Sequence, residues 1–181
     1  NEVTARLSAV PEQPTPTEYV FKINPKAKFQ NIAPVNGRAV TAEDVKYSFE
    51  RILDPKTASA YAGLYAQIES VDATDPAVAV FHLKSSFGPF LNNLATNGQI
   101  VNKKAIESGD PARNPVGTGP FRFVEWVQGD HLTLEKNPTY RDVFYDEEAP
   151  AGDALAQAAV AKLKGRKMPM IDRVEISVIE Q

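Results

Sequence analysis

The sequence predicts an α+β protein, and three observations carry that expectation. Thr41-Ala-Glu-Asp44 is a capping box ahead of one amphipathic helix; Phe121–Lys136 alternates like a hairpin; and short strand-like runs separate the remaining helical stretches. The chain has 181 residues, 20 basic and 23 acidic side chains, and 43% hydrophobic residues. That length suits one domain or two small ones, burying roughly 70% of the surface an unfolded chain exposes. The longest unbroken apolar run is Ala77–Phe81, far short of the ~20 residues a transmembrane helix needs. A formal net charge of −3 argues against a general nucleic-acid binder. With no cysteine there is no disulfide, thiolate metal site or cysteine nucleophile to consider.

Residues 1–17, with Pro11, Pro14 and Pro16 and little apolar periodicity, read as a lead-in that needs partners to become ordered. Glu18–Ile23 reads as a strand stopped by Asn24-Pro25, and residues 30–40 as a polar loop turning at Asn36-Gly37. In the capped helix that follows, Val45, Ser48, Phe49 and Ile52 share a face, and Asp54-Pro55 ends it. Residues 58–68 are expected to form a second helix with Leu64, Tyr65 and Ile68 on one side. Residues 71–73 and 77–83 read as strands. Residues 88–95 form a short helix carrying Phe90, Leu91 and Leu94, and a turn follows at Thr96-Asn97-Gly98. Lys103–Ser108 suits one or two helical turns. Asn114–Pro120 is a glycine- and proline-rich loop whose Gly117 and Gly119 are expected to supply positive φ or close backbone packing. The hairpin 121–127/131–136 follows, with Trp126 expected in the core. Residues 151–164 are alanine-rich and helical, and Ile171–Ile179 is a last strand.

No catalytic constellation is visible. His82 and His131 sit in separate strands with no ligand spacing around them, so they read as strand-surface histidines and no metal site is expected. Gly117-Thr-Gly119 has half of a dinucleotide fingerprint, but a proline and a strand follow where a helix N-terminus is required. No cofactor is expected. Asp146-Glu147-Glu148 reads as a solvated loop, and Lys162, Lys164, Arg166 and Lys167 as a basic helix end.

Several segments together resemble the family 5 extracellular solute-binding proteins, the peptide-, oligopeptide- and nickel-binding components of ABC importers. They are Tyr19-Val-Phe-Lys-Ile23 with Lys28-Phe29, Pro34-Val-Asn-Gly-Arg38 with Thr41–Arg51, Ile68-Glu-Ser-Val71, Phe81-His-Leu-Lys84 and Pro89-Phe-Leu91. Further along come Asn114–Phe121 with Val124-Glu-Trp126, Asn137-Pro138 with Tyr140, and Ile171-Asp-Arg-Val174. The resemblance runs from about residue 18 to 178. It implies a portion of a two-lobe periplasmic binding protein of the class with an extra small domain. Residues 1–100 would be the small accessory domain and 101–181 part of lobe one ending near the hinge, with an insertion at about 145–169 where the family has a short turn.

The resemblance also implies non-covalent capture of peptides or similar small solutes, delivery to a membrane permease, no enzymatic activity, and a periplasmic or extracellular location. Any signal peptide or lipid-anchoring cysteine would lie upstream of Asn1. Ligand-facing positions carry over to Tyr61, Asn97, Gly98 and Gln99, an aromatic platform beside amide donors and acceptors. If a lobe interface is missing, Ile176, Val178 and Ile179 should contribute to an exposed apolar patch. Two other readings compete: a stand-alone protein-interaction module using the 145–169 insertion, and a carboxylate-dependent hydrolase using Glu125 and Glu135.

Overall fold

The computed structural model describes residues 6–177, which form two compact units meeting in sequence at Gly117/Thr118. The first unit is built on a four-stranded antiparallel sheet in the order β1-β2-β4-β3. Its elements run β1 (Glu12–Thr15), β2 (Glu18–Lys22), α1 (Ala42–Leu53), β3 (Ile68–Asp72), β4 (Val78–Leu83), α2 (Phe90–Asn97) and α3 (Lys103–Glu107). The lead-in is therefore partly ordered by the chain itself: β1 pairs with β2, Glu12 opposite Val20, across a tight turn at residues 16–17.

One face of this sheet carries the core. β4 alternates strictly, with Ala79, Phe81 and Leu83 buried, and Phe81 lies in register with both Tyr19 and Val71. Helix α1 lays Phe49 onto this face. Its ring sits 5.0 Å from Tyr65 and 5.0 Å from Phe81, both edge-on, while Phe81 contacts Phe90 at 5.5 Å. Such edge-to-face pairs contribute about 0.5–1.5 kcal/mol each beyond burial.

The expected second helix over 58–68 is not formed. The chain instead makes two short 3-10 turns, Pro55–Thr57 and Ala62–Tyr65, separated by Ala58 at φ 48°. Ile68 already belongs to β3, so the apolar spacing that suggested a helix is divided between a turn and a strand. Both elements bury their apolar residue in the same core, which is why the pattern misled.

The capping box is present at the start of α1, and it extends beyond the helix. The Asp44 carboxylate, only 3% exposed, accepts from the Thr41 N–H at 2.9 Å and its hydroxyl at 3.1 Å. It also takes a two-armed contact from the Arg38 guanidinium, one arm at 2.8 Å, and a bond from the Asn102 amide at 3.3 Å. Ser48 Oγ accepts from the Val101 N–H at 2.9 Å. These bonds anchor the chain after α2 to the first unit. Val116 also packs on the smaller cluster of Ala27, Phe29, Val35 and Val40, so this compact unit extends to Gly117. Asn36 and Gly37, both at positive φ, turn the 30–40 loop as expected.

The second unit holds β5 (Phe121–Val127), β6 (His131–Lys136) and β7 (Arg173–Ser177) in one antiparallel sheet, order β5-β6-β7. Asn137, 4% exposed, folds the strand ends together. Its amide groups donate to the carbonyls of Gly119 (3.1 Å) and Pro120 (2.8 Å), and its side-chain oxygen accepts from the Thr139 hydroxyl at 2.9 Å. Neither Gly117 nor Gly119 is at positive φ, and a β-carbon on Gly119 would meet nothing closer than 4.0 Å. The expectation of positive φ is corrected at both glycines and that of close packing at Gly119, where the backbone carbonyl is held by Asn137; the Gly117 backbone does pair closely with Gln30, accepting from its N–H at 2.9 Å.

Trp126 is also corrected. It is 52% exposed, in a row with Leu132 and the equally exposed Ile176. That face has no covering layer among the described residues. Val178 and Ile179, expected in the same patch, lie outside the described residues. Helix α4 (Ala154–Leu163) stands on a two-stranded stem. Tyr145 N–H bonds the Arg166 carbonyl at 2.9 Å, and Met168 N–H bonds the Val143 carbonyl at 2.8 Å.

The replacement Asp44→Ala removes the acceptor for three different segments at once. It is expected to destabilise the chain by about 2–4 kcal/mol in urea unfolding followed by far-ultraviolet circular dichroism. A loss no larger than that of an ordinary cap, about 1 kcal/mol, would show that Arg38 and Asn102 find other partners.

Candidate functional site

The four residues singled out from sequence lie on two elements that the core pins together. Tyr61 precedes the 3-10 turn Ala62–Tyr65, with its ring 50% exposed and its N–H bonded to Ser59 Oγ at 3.3 Å. Asn97, Gly98 and Gln99 close α2. Between the two, the Tyr65 hydroxyl donates to the Asn93 carbonyl at 3.0 Å, and the Asn93 amide donates to the Leu64 carbonyl at 3.2 Å. Burial, then the neighbouring Tyr61, raises the Tyr65 phenol above its ordinary range, so it remains a hydrogen-bond donor at all ordinary pH.

Asn93 was not singled out from sequence. Only its position one turn before Asn97 hints at it. It holds the aromatic segment and the α2 terminus in fixed relation, while Tyr61 and residues 97–99 make no hydrogen bond to one another.

The end of α2 is shaped by Gly98. Its N–H bonds the Leu94 carbonyl at 2.9 Å, and a β-carbon there would stand 2.5 Å from that same oxygen. Only glycine fits. Asn97 donates to Thr96 Oγ1 at 2.9 Å, and Gln99 is exposed with its N–H on the Asn97 carbonyl at 3.0 Å. The result is a short exposed segment presenting amides beside a half-exposed tyrosine and Leu64. It offers an aromatic face and amide donors and acceptors, and its residues include no charged group and no nucleophile–base pair.

The residues weighed for other chemistry are engaged elsewhere. Glu125 meets His131 Nε2 at 3.3 Å, and Glu135 is paired with Arg122 on the neighbouring strand. They therefore lie in separate ion pairs on a sheet surface rather than across a cleft. Among the described residues, no three His, Asp or Glu side chains gather as a metal site would require. His82 faces Glu18 at 3.9 Å on the sheet surface. The basic run is partly neutralised, Lys164 by Asp146 and Lys167 by Asp142. No described helix is long and apolar enough to cross a membrane.

Solved structures place this arrangement among the periplasmic binding proteins. A mannopinic-acid-bound solute-binding protein from A. tumefaciens R10 matches with TM-score 0.67 at 34% identity, over 75% of this chain and 28% of that one. The Helicobacter pylori binding protein DppA, in complex with the peptide STSA, matches with TM-score 0.68 at 28% identity, over 77% of this chain and 31% of its own. The chain is thus part of an α+β periplasmic-binding-protein fold. The family model for bacterial extracellular solute-binding proteins, family 5, matches residues 8–181, and the chain belongs to that family. It is also 36% identical over 131 residues to the probable D,D-dipeptide-binding periplasmic protein DdpA of Escherichia coli K12, covering 68% of this chain and 24% of that protein. The chain spans a quarter to a third of the length of these relatives.

Two outcomes follow from this geometry. Gly98→Ala is expected to lower the melting temperature by several degrees and to shift amide resonances over residues 94–100. Gly109→Ala, at a site with no neighbour within 4 Å, should leave both unchanged. His131, held between Asp130 first and Glu125 second, keeps its proton to higher pH than an ordinary histidine near 6.5. Its raised folded-state value means the stabilisation is complete below about pH 6.5 and fades as pH rises through that value. A proton NMR titration should place the His131 midpoint above 6.5, and Asp130→Asn should lower it.

Proposed function

We propose that this chain is part of an ABC importer's solute-binding protein, one that captures peptides or similar small solutes outside the cytoplasmic membrane and hands them to a permease. The observation that carries the reading is the family match, which extends over nearly the whole described chain. Relatives named for a D,D-dipeptide and for a bound peptide favour peptides as the solute class. The relative bound to mannopinic acid keeps other small acids within reach. Capture would be non-covalent, between two lobes that close by hinge motion, and no catalytic step is involved. The location would be periplasmic or extracellular.

In this reading residues 1–100 correspond to the small accessory domain and 101–181 to part of lobe one, with residues 145–169 as a surface insertion. Tyr61 supplies a stacking face, and Asn97, the Gly98 backbone and Gln99 supply polar contacts on one side of the solute. The opposing lobe supplies the rest. A partial site of this kind loses most of its affinity when its other half is absent, because the immobilisation cost of binding is unchanged while the contacts are halved.

Isothermal titration with a mixed di- to pentapeptide library tests the reading. The complete two-lobe protein carrying this chain is expected to bind, and the 181-residue chain alone to bind at least a hundred-fold more weakly. In the two-lobe protein, Tyr61→Ala should weaken binding roughly ten-fold. Tight binding by the 181-residue chain would mean that the site is complete within it. An unaltered affinity in Tyr61→Ala would remove Tyr61 from the site, and silence from the two-lobe protein would exclude peptides as the solute.

A further inference from the structure

A solvent-open pocket of about 720 Å³ lies in the first unit; its lining includes Gly98 of the candidate solute-facing turn but not Tyr61, Asn97 or Gln99. Its floor is the sheet-and-helix core, and its walls are the lead-in segment 6–11 on one side and α2 with the chain to Ile100 on the other. The apolar residues packed around the buried core, Phe21, Val45, Leu91 and Ile100 among them, are only partly buried, and each of these four faces this space. Their remaining exposure is thus directed inward, toward a common volume. A pocket of this size is within the range of small-molecule sites.

The rim has a definite chemistry. Among the described residues, Arg6 is the sole charged residue lining the pocket, and no Asp or Glu does. Its guanidinium forms no ion pair with any described residue. Asn92, also on the rim, uses its backbone carbonyl to hold Thr96 Oγ1 at 2.8 Å, while its side-chain amide bonds no described group. An apolar pocket whose described lining offers amide donors and a cation but no carboxylate suits one kind of molecule: an apolar body ending in an anionic oxygen acid.

We propose that this cavity is a second binding site, for a medium-chain or aromatic carboxylic acid, with the apolar body against Phe21, Val45, Leu91 and Ile100 and the carboxylate at Arg6 and Asn92. The site lies wholly within one compact unit. It shares Gly98 with the solute-facing turn but takes no contact from Tyr61, Asn97 or Gln99, and its lining residues all belong to this chain.

The test titrates the 181-residue chain with octanoate and, separately, with octanol, following amide resonances by two-dimensional NMR. Octanoate should give saturable, single-site shifts confined to residues 6–11, 91–100 and the neighbouring core strands, and should bind roughly five-fold more tightly than octanol. Arg6→Gln should remove that preference by weakening octanoate while leaving octanol unchanged. Leu91→Trp, which fills the chamber, should abolish both, with cooperative thermal unfolding as the check that the variant is folded. Asn92→Asp, on the exposed rim, serves independently of that check: it should weaken octanoate through charge repulsion and spare octanol. The proposal is overturned if no saturable shift occurs at millimolar octanoate, or if shifts centre on residues 121–177. It is equally overturned if octanol binds as tightly as octanoate in the unaltered chain, or if Arg6→Gln and Asn92→Asp leave octanoate affinity unchanged.

Discussion

The first unit depends on one buried carboxylate. Asp44 gathers the loop before α1 through Arg38, the helix N-terminus through Thr41, and the chain beyond α2 through Asn102. A carboxylate this deep is costly to desolvate unless each lone pair is occupied, and here the occupants come from three separated stretches of sequence. The charge therefore acts as a registry device. It fits only when loop, helix and α3 are all in place, so it selects this arrangement over looser ones with the same hydrophobic content. Arg38 also lies over the Phe29 ring, 5.3 Å from its centroid, which ties the smaller apolar cluster to the same point.

The candidate solute-facing segment inherits its geometry from this arrangement. Ser48, one turn after Asp44, fixes Val101, and so limits where α2 and the Gly98 turn can lie. Asn93 and Tyr65 then set the aromatic segment against α2. The second unit uses the same strategy with a neutral group: Asn137 satisfies backbone groups from the loop before β5 and the turn after β6. Each unit thus relies on one buried polar side chain to hold loops that hydrophobic burial alone would leave loosely specified.

Much of this fold was legible in the sequence because its signals were local. The α1 cap, the Asn36-Gly37 turn and the β5–β6 hairpin each depend on residues within a few positions of one another, and they formed as read. What escaped detection was long-range. The apolar residues at 64, 65 and 68 fit a helical spacing, yet the competition for one core split them between a 3-10 turn and β3. Trp126 is a good core residue by type, and nothing local reveals that its strand face carries no covering layer among the described residues. Of the candidate site, Gly98 was found as a turn residue while Asn93 carried no clear pattern, and neither Arg6 nor Asn92 of the apolar pocket was marked by one. Their significance comes from neighbours distant in sequence.

Trp126 is the chain's single tryptophan, and its position on the exposed face of β5 makes it a selective optical reporter. Tryptophan emission from this protein originates entirely in the second unit and reads solvent at the sheet surface. Changes inside the first unit, including its loss of structure, are carried by its tyrosines and by backbone signals. A molecule or further polypeptide that covered the Trp126–Leu132–Ile176 row would move the emission to shorter wavelength without any change in secondary structure. The same experiment would thus separate events on the two units by colour alone.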